Sequence, residues 1–293
     1  MTHASTHTHT GTGHHHAGHT PQHEPDVGSQ AEILDLDAEV LSEHIASITA
    51  WLPVEKTPTR VVDLGCGTGA GTFALLARFP ETEVVAVDAS DDHLSRLRAK
   101  ADELGVADRV RTVAADLDAD WPDLGRPELV WASASLHHMA DPDRALRKVN
   151  DLLAPGGLFA VVELAGFPRF LPADAPADRP GLEERCHAAL EHHGAEHVSH
   201  RGADWGPKLA AAGFTVEGER VITVNVDGSR DTAVGRYALS SLRRLRAGAA
   251  HALSAEDLGS LDQLLDAGSP HSVLRRDDLA VRTERSVWAA RRP

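Results

Sequence analysis

Cysteine is almost absent: only Cys66 and Cys186 occur in 293 residues. Two thiols cannot build a disulfide framework, and no Cys-x-x-Cys pair suggests structural zinc, so a reducing, cytoplasmic setting is expected. Basic residues are outnumbered, with 29 Lys plus Arg against 44 Asp plus Glu and a formal net charge of −15. That balance repels a phosphate backbone and argues against nucleic acid as a partner. Long apolar runs are missing too. No stretch approaches the roughly 18 residues of a membrane-spanning helix, and the N-terminus lacks the basic-then-apolar order of a signal peptide, so no membrane partner is expected. Aromatics make up only 4%, yet 42% hydrophobic and 25% charged residues describe an ordinary globular chain. Its length favours one large α/β domain or one domain with a modest cap.

Residues 1–30 consist largely of His, Thr, Gly and Pro, and eight of the 19 histidines precede residue 24. So few apolar groups cannot offset ordering entropy, and a disordered tail is expected. His7, His9 and His14 to His16 can capture a stray transition-metal ion, but a defined metal site needs fixed geometry that such a tail does not supply. From Ala31 to Leu52 the spacing Leu34, Leu41, Ile45, Ile48, Leu52 marks one apolar helix face, closed by Pro53. Strands and helices then alternate. Strands are read at Arg60 to Leu64, Glu83 to Val87, Arg109 to Ala114, Glu128 to Ala132 and Leu158 to Glu163. Helices are read at Thr72 to Phe79, Asp91 to Leu104 and Pro142 to Leu153. This alternation predicts an α/β fold, a parallel sheet covered on both faces. Further on, helices are expected at Leu182 to His193, Trp205 to Ala212 and across 230–268. Phe214 to Val226 reads as a strand bent at Gly218, and Glu284 to Ala290 as a last strand.

The chemistry concentrates in Asp63-Leu64-Gly65-Cys66-Gly67-Thr68-Gly69, which puts an acid at a strand end and then three glycines at alternate positions before a helix. Glycine permits positive φ and lets a ligand approach the backbone, while the free N–H groups of the helix start can donate to it. Asp88 ends the next strand, 19 residues beyond Gly69, where a carboxylate can accept both hydroxyls of a ribose. Two ligands compete for this pattern. Gly65-x-Gly67-x-x-Ala70 also satisfies a dinucleotide fingerprint, but a pyrophosphate has no use for a carboxylate two residues before the first glycine. S-adenosylmethionine has a ribose, an ammonium and a sulfonium, and no phosphate, so Asp63 argues for it.

With these residues in view, the chain resembles the class I S-adenosylmethionine-dependent methyltransferases from about Arg60 to Glu163, and more weakly to Pro293. The landmarks after the glycine motif are Asp88, the turn Ala115-Asp116-Leu117, the segment Glu128 to Met139 with Ser133-Ala134-Ser135-Leu136-His137-His138, and the connector Leu152 to Leu158 with Pro155-Gly156-Gly157. The resemblance implies a Rossmann-like, seven-stranded, mostly parallel sheet whose last strand is antiparallel, with helices on both faces. It implies a partial helical lid from about 31–52, 167–212 and 229–280 within one domain spanning 31–293. It also implies S-adenosylmethionine as cofactor, held by Asp63, Gly65, Cys66, Gly67, Gly69, Asp88, Ala89, Asp116, Leu117 and Ser133.

Methyl transfer from a sulfonium is an in-line displacement with a good leaving group, so no acid or base is compulsory. For a hydroxyl acceptor a base helps, and His137 or His138 is the natural candidate, against the plainer reading that they pack in the turn or cap the helix near Asp141. Cys66 reads as packing, Asp116 as a turn residue or an adenine contact, and Trp121 and Trp131 as core or pocket wall. Arg243, Arg244 and Arg246 read as a solvated helix face, with a clamp for an acidic substrate as the alternative. His187, His192, His193, His197 and His200 lack ligand spacing and read as a solvent-facing lid helix. The slot Ser133 to Leu136 lacks the Asn/Asp-Pro-Pro-aromatic run of enzymes that methylate nucleobase or glutamine amines, so a small-molecule acceptor is expected, with O- or N-methylation in specialised metabolism. Two other functions stay open: an NAD(P)-dependent oxidoreductase, and a cofactor-binding protein without turnover. Monomer and homodimer are equally open.

Overall fold

The computed structural model describes Met1 and residues 30–194, 200–228 and 231–293. The expected tail with His7, His9 and His14 to His16, together with His197 and the side chains of His192 and His193, lies outside the described residues. Seven strands form one sheet in the order β3-β2-β1-β4-β5-β7-β6. They are β1 (Arg60–Leu64), β2 (Glu83–Asp88), β3 (Val110–Ala114), β4 (Leu129–Ser133), β5 (Leu158–Leu164), β6 (Thr215–Asp227) and β7 (Ala280–Arg291). The first five run parallel, and β7 lies antiparallel between β5 and β6. The central strands read as near-continuous apolar runs because both their faces are covered; β1 is buried at every position after Arg60.

The helices are α1 (Gln30–Val40), α2 (Ser42–Trp51), α3 (Ala70–Arg78), α4 (Asp91–Glu103), α5 (Pro142–Leu152), α6 (Leu182–Gly194), α7 (Gly206–Ala211), α8 (Thr232–Ala249) and α9 (Ala255–Leu265). Val61, Leu129, Trp131 and Ala160 pack on one face with residues of α2, α3, α6, α8 and α9. Val62, Val130, Ala132 and Val161 pack on the other with α5 and α7. The alternation along each strand sends Asp63 to the first face and Glu163 to the second.

Three sequence boundaries need correction. The helix expected from Ala31 to Leu52 is two, separated at Leu41, whose backbone φ −101, ψ 12 departs from helical geometry. The run 230–268 is also two helices, because Ser254 caps a new start by accepting from Asp257 N–H. The last strand begins at Ala280 instead of Glu284. The bend at Gly218 is a register shift against β7, where the ring of Trp51 occupies the space a Cβ would need. The last rung of β5 pairs Leu164 with Arg285, while β6 and β7 continue to the rung Asp227–Ala280. This antiparallel pair therefore projects past the carboxyl end of the sheet. β1 and β4 are neighbours, with β2 and β3 to one side and β5 to the other, so a crevice opens beyond their carboxyl ends.

Candidate active site

Gly65 and Gly67 adopt φ +68° and +52° in the turn from β1 to α3. A Cβ on Gly65 would fall 2.4 Å from Ser135 Cβ, so the glycine turn lies directly against the turn after β4. Ser135 fixes that approach by donating Oγ–H to Leu64 O at 2.9 Å. Among the described residues, the only atom within 4 Å of a would-be Cβ on Gly67 is Leu34 Cδ1, at 3.1 Å. Gly67 thus faces the side chain of Leu34 in the first turns of α1, which covers the glycine turn. That helix is tied down on both sides, to α4 by Asp35–Arg96 at 3.0 Å and to α8 by Tyr237 Oη–H donating to Asp37 Oδ1 at 2.6 Å.

Asp63 lies beneath this turn, 1% exposed, accepting from Thr72 Oγ1–H at 2.7 Å. Burial pushes its carboxyl up to about 7, against the Thr72 hydrogen bonds and with help from the charge of Asp88. Asp88 reaches across the turn, with Oδ2 accepting from Gly67 N–H at 2.9 Å. Its Oδ1 accepts from Ser90 N–H at 2.9 Å and meets His93 Nδ1 at 3.2 Å. Three of about four acceptor positions are therefore engaged. Cys66 is buried and its thiol is pushed up by burial and then by Asp63 and Asp88, which makes it packing and not a nucleophile. Trp131 is 1% exposed, and its Nε1, which has no partner among the described residues, is accommodated because residue 71 is glycine.

The other expected contacts surround the same crevice. Ala89 is exposed at the mouth, beside Asp88. Asp116 folds back to accept from Asp118 N–H at 2.9 Å, and Leu117 O accepts from Trp121 Nε1–H at 2.8 Å. Ser133 ends β4 half-buried, and Ala134 follows with φ +51°, a conformation rare outside glycine that turns the chain toward the two histidines. Asp141 caps α5 itself, accepting from Arg144 N–H, so the histidines are not needed for capping.

His137 and His138 separate clearly. His137 is 3% exposed, and its Nδ1 lies 2.5 Å from Glu163 Oε2. Glu163, 2% exposed, also accepts from Leu136 N–H through Oε1 at 2.8 Å. His138 is exposed, packs with its ring tilted 44° to that of His137 at a centroid distance of 4.1 Å, and is held below the usual imidazole range by desolvation and then by its neighbours His137, Arg201 and Arg244. Sequence reading missed Glu163. Its signal was an acid inside the apolar run Leu158-Phe159-Ala160-Val161-Val162-Glu163-Leu164. It also read the histidines of α6 as solvent-facing, whereas His187 is 5% exposed against Phe167.

A glycine turn at the carboxyl end of β1, with the two carboxylates Asp63 and Asp88 at hand, fits a ligand bearing a cation and a ribose. Residues 62–159 match a family model described as a methyltransferase domain. The trans-aconitate 2-methyltransferase of Methylobacterium radiotolerans is 38% identical over 116 residues, 40% of this chain and 42% of that protein. Over that third of the chain the protein is therefore similar to methyltransferases, in line with the resemblance carried by its motifs. A methyltransferase-like crystal structure from Bacillus halodurans aligns with TM-score 0.53 at 18% identity, covering 86% of this chain and 99% of that one. The [4+2]-cyclase SpnF aligns with TM-score 0.52 at 20% identity, covering 86% and 82%. These two speak to fold alone. The chain spans about two fifths of the curated relative it matches. The segment matched to the methyltransferase-domain model contains the glycine turn, Asp88 and both histidines, but stops before Glu163 and leaves out α1 and α6. Among the described residues, no group of three or more His, Cys, Asp or Glu could hold a metal ion, and no helix is long and apolar enough to cross a membrane.

Proposed function

We propose that the protein transfers a methyl group from S-adenosylmethionine to a small-molecule acceptor, at an oxygen or nitrogen atom. The observation that carries this reading is the pair of acids around the glycine turn, Asp63 below it and Asp88 across it. Bound there, the cofactor supplies an electrophilic methyl on a sulfonium. The backbone of Gly65, Cys66, Gly67 and Gly69 and the carboxylate of Asp63 hold the amino-acid end, Asp88 and Ala89 the ribose, Asp116 and Leu117 the adenine, and Ser133 the region nearest the methyl. Elements from about 31–52, 167–212 and 229–280 form a partial lid on a single domain over 31–293. The trans-aconitate relative supports a small-molecule acceptor.

His137, not His138, serves as base. With Nδ1–H directed at Glu163, the lone pair on Nε2 is the one that receives a proton from an acceptor hydroxyl, and the buried carboxylate stabilises the imidazolium that forms. Thermal shift with S-adenosylmethionine, S-adenosylhomocysteine, NADH and NADPH tests the cofactor, since a ligand that binds only the folded state raises Tm. Stabilisation by NADPH alone would favour the oxidoreductase alternative and overturn the reading. Release of labelled methyl across a metabolite panel separates an enzyme from a cofactor-binding protein without turnover. Once an acceptor is known, His137→Gln is expected to lower kcat by about 10²–10⁴ with cofactor Kd unchanged. Equal turnover at every pH would remove the base from the mechanism.

A further inference from the structure

Asp63 and Trp131 are register partners on the parallel neighbours β1 and β4, so their side chains leave the same face of the sheet. Helix α3 packs on that face and carries Gly71 in its first turn. Glycine weakens a helix relative to alanine, so its presence there calls for a reason. A Cβ at position 71 would lie 2.3 Å from Trp131 Nε1 and 3.2 Å from Asp63 Oδ2. The nitrogen edge of the indole and one oxygen of the carboxylate therefore border the same small space, which the missing side chain leaves to them.

Trp131 Nε1–H can only donate, is closed to solvent and has no partner among the described residues. Buried donors are rarely left in that state. Asp63 in turn has acceptor capacity to spare. Thr72 gives it the Oγ1–H at 2.7 Å and a backbone N–H, two of about four acceptor positions. A protonated carboxyl draws a neutral donor weakly, whereas an ionised one in surroundings of low dielectric draws it strongly. The other groups facing Asp63 are Asp88 from β2, which adds like charge, and the Cys66 thiol from the glycine turn, which burial keeps protonated. Of these neighbours the indole alone offers an uncommitted donor.

We infer that Trp131 is a positioning residue for the cofactor, its Nε1–H donating to Asp63 Oδ2 when that carboxylate is ionised against the ammonium of the bound amino-acid end. This rests on the methyltransferase reading, because that reading assigns Asp63 to the ammonium. Trp131 is 1% exposed and acts through Asp63, favouring its charged form and fixing the way the carboxylate turns. Gly71 lets the indole edge come up to the acid, so Gly71, Trp131 and Asp63 act as a unit.

The test follows the indole N–H signals of the five tryptophans by NMR on the isotope-labelled full chain. The Trp131 signal is identified by its loss in Trp131→Phe or by its through-space contact with Gly71. Without ligand it is expected to move downfield as pH rises from 5 to 8.5, with a midpoint near 7, and Asp63→Asn should abolish that movement. S-adenosylhomocysteine, which carries the ammonium, should bring the signal to its high-pH position already at pH 6. By calorimetry, Trp131→Phe should weaken S-adenosylhomocysteine binding about tenfold in the wild type and no more than about twofold in Asp63→Asn. A packing role would cost the same in both backgrounds. A wild-type Trp131 signal that ignores pH, one that moves equally in Asp63→Asn, or an equal loss of affinity in the two backgrounds overturns the assignment. The titration and its Asp63→Asn control need no substitution at 131, so they decide the matter even where Trp131→Phe does not fold. Failure of S-adenosylhomocysteine to bind the wild type overturns the methyltransferase reading and the cofactor role of Trp131 with it, while the ligand-free titration judges the Trp131–Asp63 pair separately.

Discussion

The substitution Asp63→Asn separates the stability role of this residue from its binding role, because the two effects have opposite signs. A carboxyl whose pKa rises from 3.8 to about 7 on folding costs about 4 kcal/mol to ionise in the folded protein, at roughly 1.4 kcal/mol per pH unit. The unfolded chain releases this proton first. Its stability contribution therefore falls as pH rises from near 4 to near 7 and is flat above. The variant presents a neutral amide whose oxygen still accepts from Thr72 and carries no such penalty. The two proteins should have similar Tm at pH 4, and the variant should become the more stable as pH approaches 8. At roughly 2–3 °C per kcal/mol for a chain of this size, the gap reaches about 10 °C. Glu183, also pushed up to about 7 by burial, is present in both and cancels in the difference. With S-adenosylmethionine the ranking should narrow or invert, since a cation above the turn repays the ionisation of Asp63 only in the wild type. Scanning fluorimetry from pH 4 to 8.5, with and without the cofactor, reads both effects. A variant no more stable than wild type at pH 8, or one with unaltered cofactor affinity, would refute the argument that this buried charge selects a cationic ligand.

Two further predictions concern the ribose side. Asp88→Ala should weaken S-adenosylmethionine binding by about 1–3 kcal/mol, read as Kd by calorimetry, and an unchanged Kd would remove Asp88 from the site. His93→Leu should tighten binding by about 1 kcal/mol, because it releases an Asp88 oxygen now facing His93 Nδ1 at 3.2 Å and two ribose hydroxyls need two acceptor positions. Weaker binding in that variant would show that His93 helps the ligand instead of competing with it.

The difference between what the sequence discloses and what it conceals follows from the range of the interactions involved. The central strands and the glycine turn are legible because apolar runs and the Gly65, Gly67, Gly69 spacing are local, and local chemistry dictates local geometry. The end of α1 and the start of α9 are set by single residues, a non-helical Leu41 and a capping Ser254, which periodicity averages over. The antiparallel sense of β7 came from family resemblance and its place between β5 and β6 from the structure, as no pattern within 280–291 encodes a neighbour more than fifty residues away. Long-range pairings were hidden for the same reason. His137 and Glu163 are 26 residues apart and meet only because β4 and β5 are adjacent and in register, Ser133 opposite Val162. That register also explains why one histidine of the pair is buried and the other exposed, a distinction two consecutive identical residues cannot show in sequence. The sheet thus does more than support the glycine turn. By fixing β1 against β4 and β4 against β5, it sets the glycine turn against Ser135 and His137 against Glu163, so the cofactor side and the acceptor side of the crevice are held by the same set of backbone hydrogen bonds.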